Sequence, residues 1–156
     1  MSITSAQSSA LAAAIAADPT LTTNGSSNQF QSIADAMNLA SNPAVGVWMP
    51  NVATSVILTA LLASDMTALS AGNIGYLQML LSVGVVDSTS ANVRANFSTI
   101  FAGKTTLTNL IAAAQKTATR FEALAAFVTV AGAASISTAY GTVLVAKDVQ
   151  AALGKG

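Results

Sequence analysis

Residues 125–145 read AAFVTVAGAASISTAYGTVLV, and no charged side chain occurs anywhere from Ala123 to Ala146. Three readings compete: a membrane span, a buried segment, or an arm that lies against another protein. The length is sufficient for a span, which needs about 20 mostly apolar residues. The content is not, because Thr, Ser and Gly fill the middle and the flanks lack the usual basic and aromatic anchors. Phe127-Val128-Thr129-Val130 and Thr142-Val143-Leu144-Val145 are instead β-rich runs, and the Gly/Ala/Ser stretch between them suits a long hairpin loop. The pattern predicts a two-stranded hairpin with Val128, Val130, Val143 and Val145 on one face at period two. A lone hairpin is marginal in water, so this one needs a partner, either its own helices or another subunit.

The rest of the chain supplies helices. At 156 residues it is long enough for a core of its own. Hydrophobic residues make up 53% but aromatics only 5%, because much of the apolar share is Ala, which favours helix and lets helices approach closely. Ser5 to Ala17 predicts a first helix carrying Leu11 and Ile15, closed by Asp18-Pro19; TLTTNGSSNQ (20–29) then reads as a loop or mobile linker. The apolar start lacks the basic region of a secretory signal, so a cytosolic start is expected. Phe30, Ile33 and Met37 mark a second helix ending at Asn42-Pro43, and the single Trp48 in the connector reads as a core anchor. Leu58, Leu61 and Leu62 mark a third helix, capped by Thr54 or Ser55; Ile74, Leu77, Leu80 and Leu81 mark a fourth that stops at Gly84.

Two further helices are expected. Ser90 is placed to cap one with Val93, Phe97, Ile100 and Phe101 on its face and Gly103 at its stop. Leu107, Leu110, Ile111, Ala114, Ala118 and Phe121 predict the longest, from Thr105 to Leu124. Lys116 and Arg120 lie four apart on its other face, either as solvated charges or as a contact for an acidic partner. Asp148 caps a short last helix, VQAAL. The expected fold is therefore mainly α: a bundle of about five or six helices over residues 1–124, with 1–27 a mobile helix and linker, then a β-hairpin arm and short helix over 125–156.

Little chemistry is expected from these residues. There is no Cys and no His, which removes thiolate nucleophiles, imidazole bases and Cys/His metal sites. The six acids are scattered over separate segments, with no pair at helical spacing. Gly103-Lys104-Thr105 resembles the end of a phosphate loop, but the position where its first Gly belongs is Ser98. Neither an enzyme nor a cofactor is expected, and zero net charge gives phosphate-driven nucleic-acid binding no support. Only 8% of residues are charged, against about 25% in an ordinary soluble domain. So neutral a surface favours covering in an assembly, and the class left is a structural or interaction protein.

NPAVGVWMPNV (42–52), SAGNIGYLQMLL (70–81), SANVRANFSTIFAG (90–103), QKTATRFEALAAF (115–127) and KDVQAAL (147–153) together resemble a group of small virion proteins of tailed bacteriophages, encoded among the head and head-to-tail joining genes. The resemblance covers residues 28–153 and departs at the Ala-rich AGAASISTAYG (131–141). It implies a structural subunit of the virion neck, a connector or adaptor forming a homo-oligomeric ring of about twelve copies beneath the portal protein. It also implies contacts with other neck or tail proteins, synthesis in the bacterial host cytoplasm, and an arm that packs on the portal or a neighbouring copy. A tail terminator or a capsid-decorating protein is the alternative within the virion. A membrane-associated protein, with residues 123–146 helical in lipid, is the alternative outside it.

Overall fold

Asp18-Pro19 ends one helix and starts the next. The computed structural model describes residues 3–124, 127–128, 136–137 and 141–155. The fold is mainly helical, with ten short helices among the described residues where five or six were expected. The chain divides into two units, Met1–Val47 with Thr117–Gly156, and Trp48–Lys116. This is a different division from one after Leu124, because residues 141–155 belong with the N-terminal helices.

In the first unit, α1 (Ser5–Ala17) opens on a capping box in which the Thr4 hydroxyl accepts from the Gln7 amide and the Gln7 side chain accepts from the Thr4 amide. α2 (Pro19–Ser26) occupies most of the stretch expected as a linker. Asp18 caps it, accepting from the Thr20 and Leu21 amides at 3.0 and 3.3 Å, and Pro19 sits at its first position, where a missing N–H costs nothing. Gly25 lies inside this helix rather than at a turn. A Cβ there would stand 3.4 Å from Leu153 Cδ1 and 3.8 Å from Ile33 Cδ1, ordinary contact distances in a buried position.

α3 (Phe30–Asn38) carries the expected stripe, with Phe30, Ile33 and Met37 buried. α9 (Arg120–Leu124) and α10 (Ala146–Ala152) complete the unit; Asp148 sits within α10, not before it, and accepts from the Val145 amide at 3.2 Å. One core joins these helices: Leu11 and Ile15 from α1, Leu21 from α2, the α3 stripe, Phe121, Leu144 and Val149.

The second unit has α4 (Thr54–Ala60), α5 (Ala63–Met66), α6 (Ala71–Ser82), α7 (Ala91–Ile100) and α8 (Thr105–Ala114). Strands β2 (Val52–Ala53) and β3 (Val85–Val86) pair antiparallel, Val52 opposite Val86 and Ala53 opposite Val85. β1 (Gly46–Trp48) and β4 (Gln115–Thr117), where the chain passes from one unit to the other, are neighbours in another two-stranded sheet. Trp48 is buried, as a core anchor should be. α4 departs from expectation: its buried residues are Ile57 and Ala60, Leu58 faces solvent, and Leu61 and Leu62 lie beyond its end. Neither Thr54 nor Ser55 caps it, since the N-cap position is Ala53.

The long helix expected over 105–124 is broken into α8, β4 and α9. Two observations explain the break. The Ala114 carbonyl accepts from the Met49 amide at 2.9 Å instead of continuing the helical ladder. Thr119 and Glu122 then open a new helix with a capping box: the Glu122 carboxylate accepts from the Thr119 amide at 2.8 Å, and the Thr119 hydroxyl accepts from the Glu122 amide at 3.1 Å.

Candidate interaction surfaces

The C-terminal valines divide into two groups. β5 (Phe127–Val128) pairs antiparallel with β6 (Ile136–Ser137), Phe127 opposite Ser137 and Val128 opposite Ile136. The strand partner of Val128 is thus residue 136, not the 142–145 run, and Val130 lies outside the described residues. Residues 142–145 form no strand. Their alternation is nevertheless real: Leu144 is buried in the core while Val143 and Val145 face outward.

A side chain takes the place of the missing strand. The Asn38 amide group accepts from the Leu144 N–H and donates to the Leu144 carbonyl, both at 2.9 Å, so it meets the backbone as a neighbouring strand would. Val143 and Val145 are 72% and 50% exposed, and Leu39, the residue after Asn38, is 64% exposed; all three are outward apolar side chains of the first unit. Glu122 fixes the start of the segment: fully buried, it accepts from the Gly141 amide through Oε1 at 2.6 Å while Oε2 caps α9.

Lys116 and Arg120 do not share a helix face, since Lys116 lies in β4 and Arg120 begins α9. Arg120 is engaged within its own unit, its Nη2 3.1 Å from Asp18 Oδ2. That guanidinium, with the Leu21 amide, holds the Asp18 carboxyl below its ordinary value.

The second unit carries a patch that the apolar stripes did not predict. Leu77 points from α6 into the core, and Met79 and Val83 stand on the opposite side, four residues apart and therefore adjacent. In the β2–β3 pair, Val52 and Val86 face inward, and Ala53 and Val85 face out. Gly84, at a φ of 81° that favours glycine, turns the chain between Val83 and Val85. Met79, Val83 and Val85 are 64%, 67% and 49% exposed. Part of the signal was available, because Met79 is apolar but off the Ile74-Leu77-Leu80-Leu81 stripe; Leu39 is likewise off the stripe of α3.

The unit beneath this patch is held by polar side chains bonded to backbone. Arg94 is buried, its Nη1 donating to the Ser88 carbonyl at 3.0 Å and to the Thr89 carbonyl, with its guanidinium 5.5 Å from the centre of the Trp48 ring. Burial pulls its pKa down and Asp87 opposes that shift. Asp65 accepts from the Thr106 amide at 3.0 Å and so caps α8 from a different segment; the Thr106 bonds hold its carboxyl below the ordinary value.

Among the described residues, no group of three or more Asp or Glu side chains is placed to hold a metal ion, and no helix is long and apolar enough to cross a membrane. No protein-family model, curated protein or solved structure matches the chain.

Proposed function

We propose that this chain is a structural subunit of a tailed-phage virion, a connector that self-assembles into a ring in the neck between portal and tail. The observation that carries the assembly part is the set of outward apolar side chains, Leu39, Val143 and Val145 in one unit and Met79, Val83 and Val85 in the other, on a chain with only 8% charged residues. Exposed apolar surface of this kind is a mark of interaction sites. Neutral interfaces also form without the cost of desolvating charge. The virion part rests on the resemblance of residues 28–153 to small virion proteins of the head-to-tail joining group. On this reading the helices are the body of the ring, and the outward valines Val143 and Val145 are the docking part of the C-terminal arm.

The test is a count. Native mass spectrometry of the purified chain is expected to give one closed oligomer, and density in infected-cell particles is expected at the neck in one ring of copies. A single copy number of about twelve beside the portal supports the connector. Hundreds of copies spread over the head would replace it with a decorating protein, and a monomer absent from particles would end the virion reading. Deleting the arm is the wrong experiment, because Leu144 belongs to the core. Outward substitutions at Val143 and Val145 leave that core intact.

A further inference from the structure

The end of α10 is built to aim one side chain. Gly154, at a φ of 64°, is the left-handed residue of a Schellman turn: its N–H donates to the Ala151 carbonyl at 3.2 Å, and the Lys155 N–H donates to the Gln150 carbonyl at 2.9 Å. α2 ends in the same way, with Asn28 at a φ of 58°, its N–H 3.3 Å from the Gly25 carbonyl oxygen and the Gln29 N–H 2.8 Å from that of Asn24. Lys155 joins the two turns. Its Nζ donates to the Gly25 carbonyl at 2.7 Å, lies 3.4 Å from Asn28 Oδ1 and stands 5.7 Å from the centre of the Phe30 ring. These partners are all neutral, and no carboxylate among the described residues pairs with this ammonium.

Beside this contact lies an opening. A cleft of about 210 Å³ between α1 and α2 is lined by Ile15, Ala16, Thr22 and Ser26 and bounded at the chain end by Leu153 and Lys155. The two hydroxyls on its wall are turned to backbone, Thr22 Oγ1 donating to the Ile15 carbonyl at 2.8 Å and Ser26 Oγ to the Thr22 carbonyl at 3.1 Å. Leu153 is half-buried, packed on the first unit's core beside Gly25. Independently of the assembly reading, we propose that residues 153–155 are a releasable strap over this cleft, seated by the Lys155 ammonium. Release breaks three bonds at the end of α10, from the Leu153, Gly154 and Lys155 amides to the Val149, Ala151 and Gln150 carbonyls, and bares the apolar wall of the cleft. The rest of α10 stays anchored, because Val149 is fully buried in the core. Lys155 and Gly154 are exposed, so their departure uncovers little surface of their own. Segments of this kind open locally, at a lower free energy than the core.

The experiment measures amide exchange and the fluorescence of ANS, a dye that brightens on apolar surface, for the full chain as wild type, Lys155→Met and Lys155→Arg. In wild type the amides of residues 153–155 are expected to exchange together and faster than those of Val149 and Ile33. Lys155→Met keeps the apolar stem and removes the ammonium; it is expected to speed exchange at 153–155 about tenfold, leave Val149 and Ile33 unchanged, and raise the dye signal. Lys155→Arg, which restores a cation over Phe30, is expected to return both readings toward wild type. Unchanged exchange in Lys155→Met shows that Leu153 packing alone holds the segment and overturns the proposal. Equal acceleration at Val149 and Ile33 overturns it too, since the segment then opens only with the core. Faster exchange at 153–155 without a brighter dye signal overturns its role as a cover for the cleft. Should Lys155→Met lose its helical signal by circular dichroism, Gly154→Ala, which strains the left-handed turn instead, is read by the same outcomes.

Discussion

Each unit ties backbone together through a buried charged side chain, Glu122 in the first and Arg94 in the second, with opposite polarity. In the first unit the Glu122 carboxylate accepts from the amides of Thr119 and Gly141; in the second the Arg94 guanidinium donates to the carbonyls of Ser88 and Thr89. The difference matters because of what each tie replaces. Glu122 joins a helix start to a segment 19 residues further on, whereas Arg94 reaches carbonyls only six and five residues before it. Losing the first tie frees a distant segment, and losing the second loosens a local turn. A surface built on the first unit therefore depends on the Glu122 tie itself, whereas the long-range polar bonds of the second unit come from other side chains, such as Asp65 on the Thr106 amide and Ser88 on the Met49 carbonyl.

The comparison breaks most readily at Glu122. Glu122→Ala leaves two amides without their acceptor and a void in a buried site, and is expected to cost about 2–4 kcal/mol, read as a fall in Tm. Glu122→Gln keeps one acceptor oxygen but turns an amide donor toward one N–H, so an intermediate loss is expected. Equal losses for the two would mean that packing volume, not hydrogen bonding, governs the site. Asn38→Ala comes next, at about 1–3 kcal/mol, because the Leu144 N–H and carbonyl both lose their partner. Hydrogen exchange is expected to show the Leu144 amide losing protection in both Ala variants.

Arg94→Met tests the other side of the comparison. It removes a desolvated cation and keeps much of its volume against Trp48, which offsets part of the loss of two hydrogen bonds. The expected cost is about 1–2 kcal/mol, smaller than that of Glu122→Ala. A larger cost, in parallel denaturant melts, would reverse the ranking of the two ties.

What was legible follows the same division between local and distant bonds. The boundaries of α1, the buried stripe of α3, and Phe97 and Ile100 on α7 were readable because each is a local period. The α2 helix was missed although Asp18-Pro19 announced it: Asn24-Gly25 looks like a turn, yet Gly25 is buried inside the helix. Thr119-x-x-Glu122 was a readable capping box, hidden by an Ala-rich stripe that continues across it. The run at 142–145 alternates in burial but is not the strand that was expected. Its partner could not be guessed, since the Asn38 amide lies 106 residues away and leaves no local pattern.

Acid provides the smallest and most even-handed comparison, because each unit has one carboxyl held below its ordinary value of 3.8: Asp18 by Arg120 and the Leu21 amide, Asp65 by Thr106. A depressed folded value means the unfolded chain binds protons first as pH falls. The contribution is therefore fully present above about pH 4 and is lost as pH drops through the folded value. Both carboxyls are near solvent, so the effects are small and screened by salt. Asp18→Asn is expected to flatten the loss of Tm below pH 4 for the first unit, and Asp65→Asn for the second. Because Asp18 leans chiefly on a charged guanidinium and Asp65 on Thr106 hydrogen bonds, added salt is expected to weaken the Asp18 effect and spare that of Asp65. Equal salt sensitivity in acid melts of the two variants would show that the Arg120 pair contributes little beyond the N-cap bonds it accompanies.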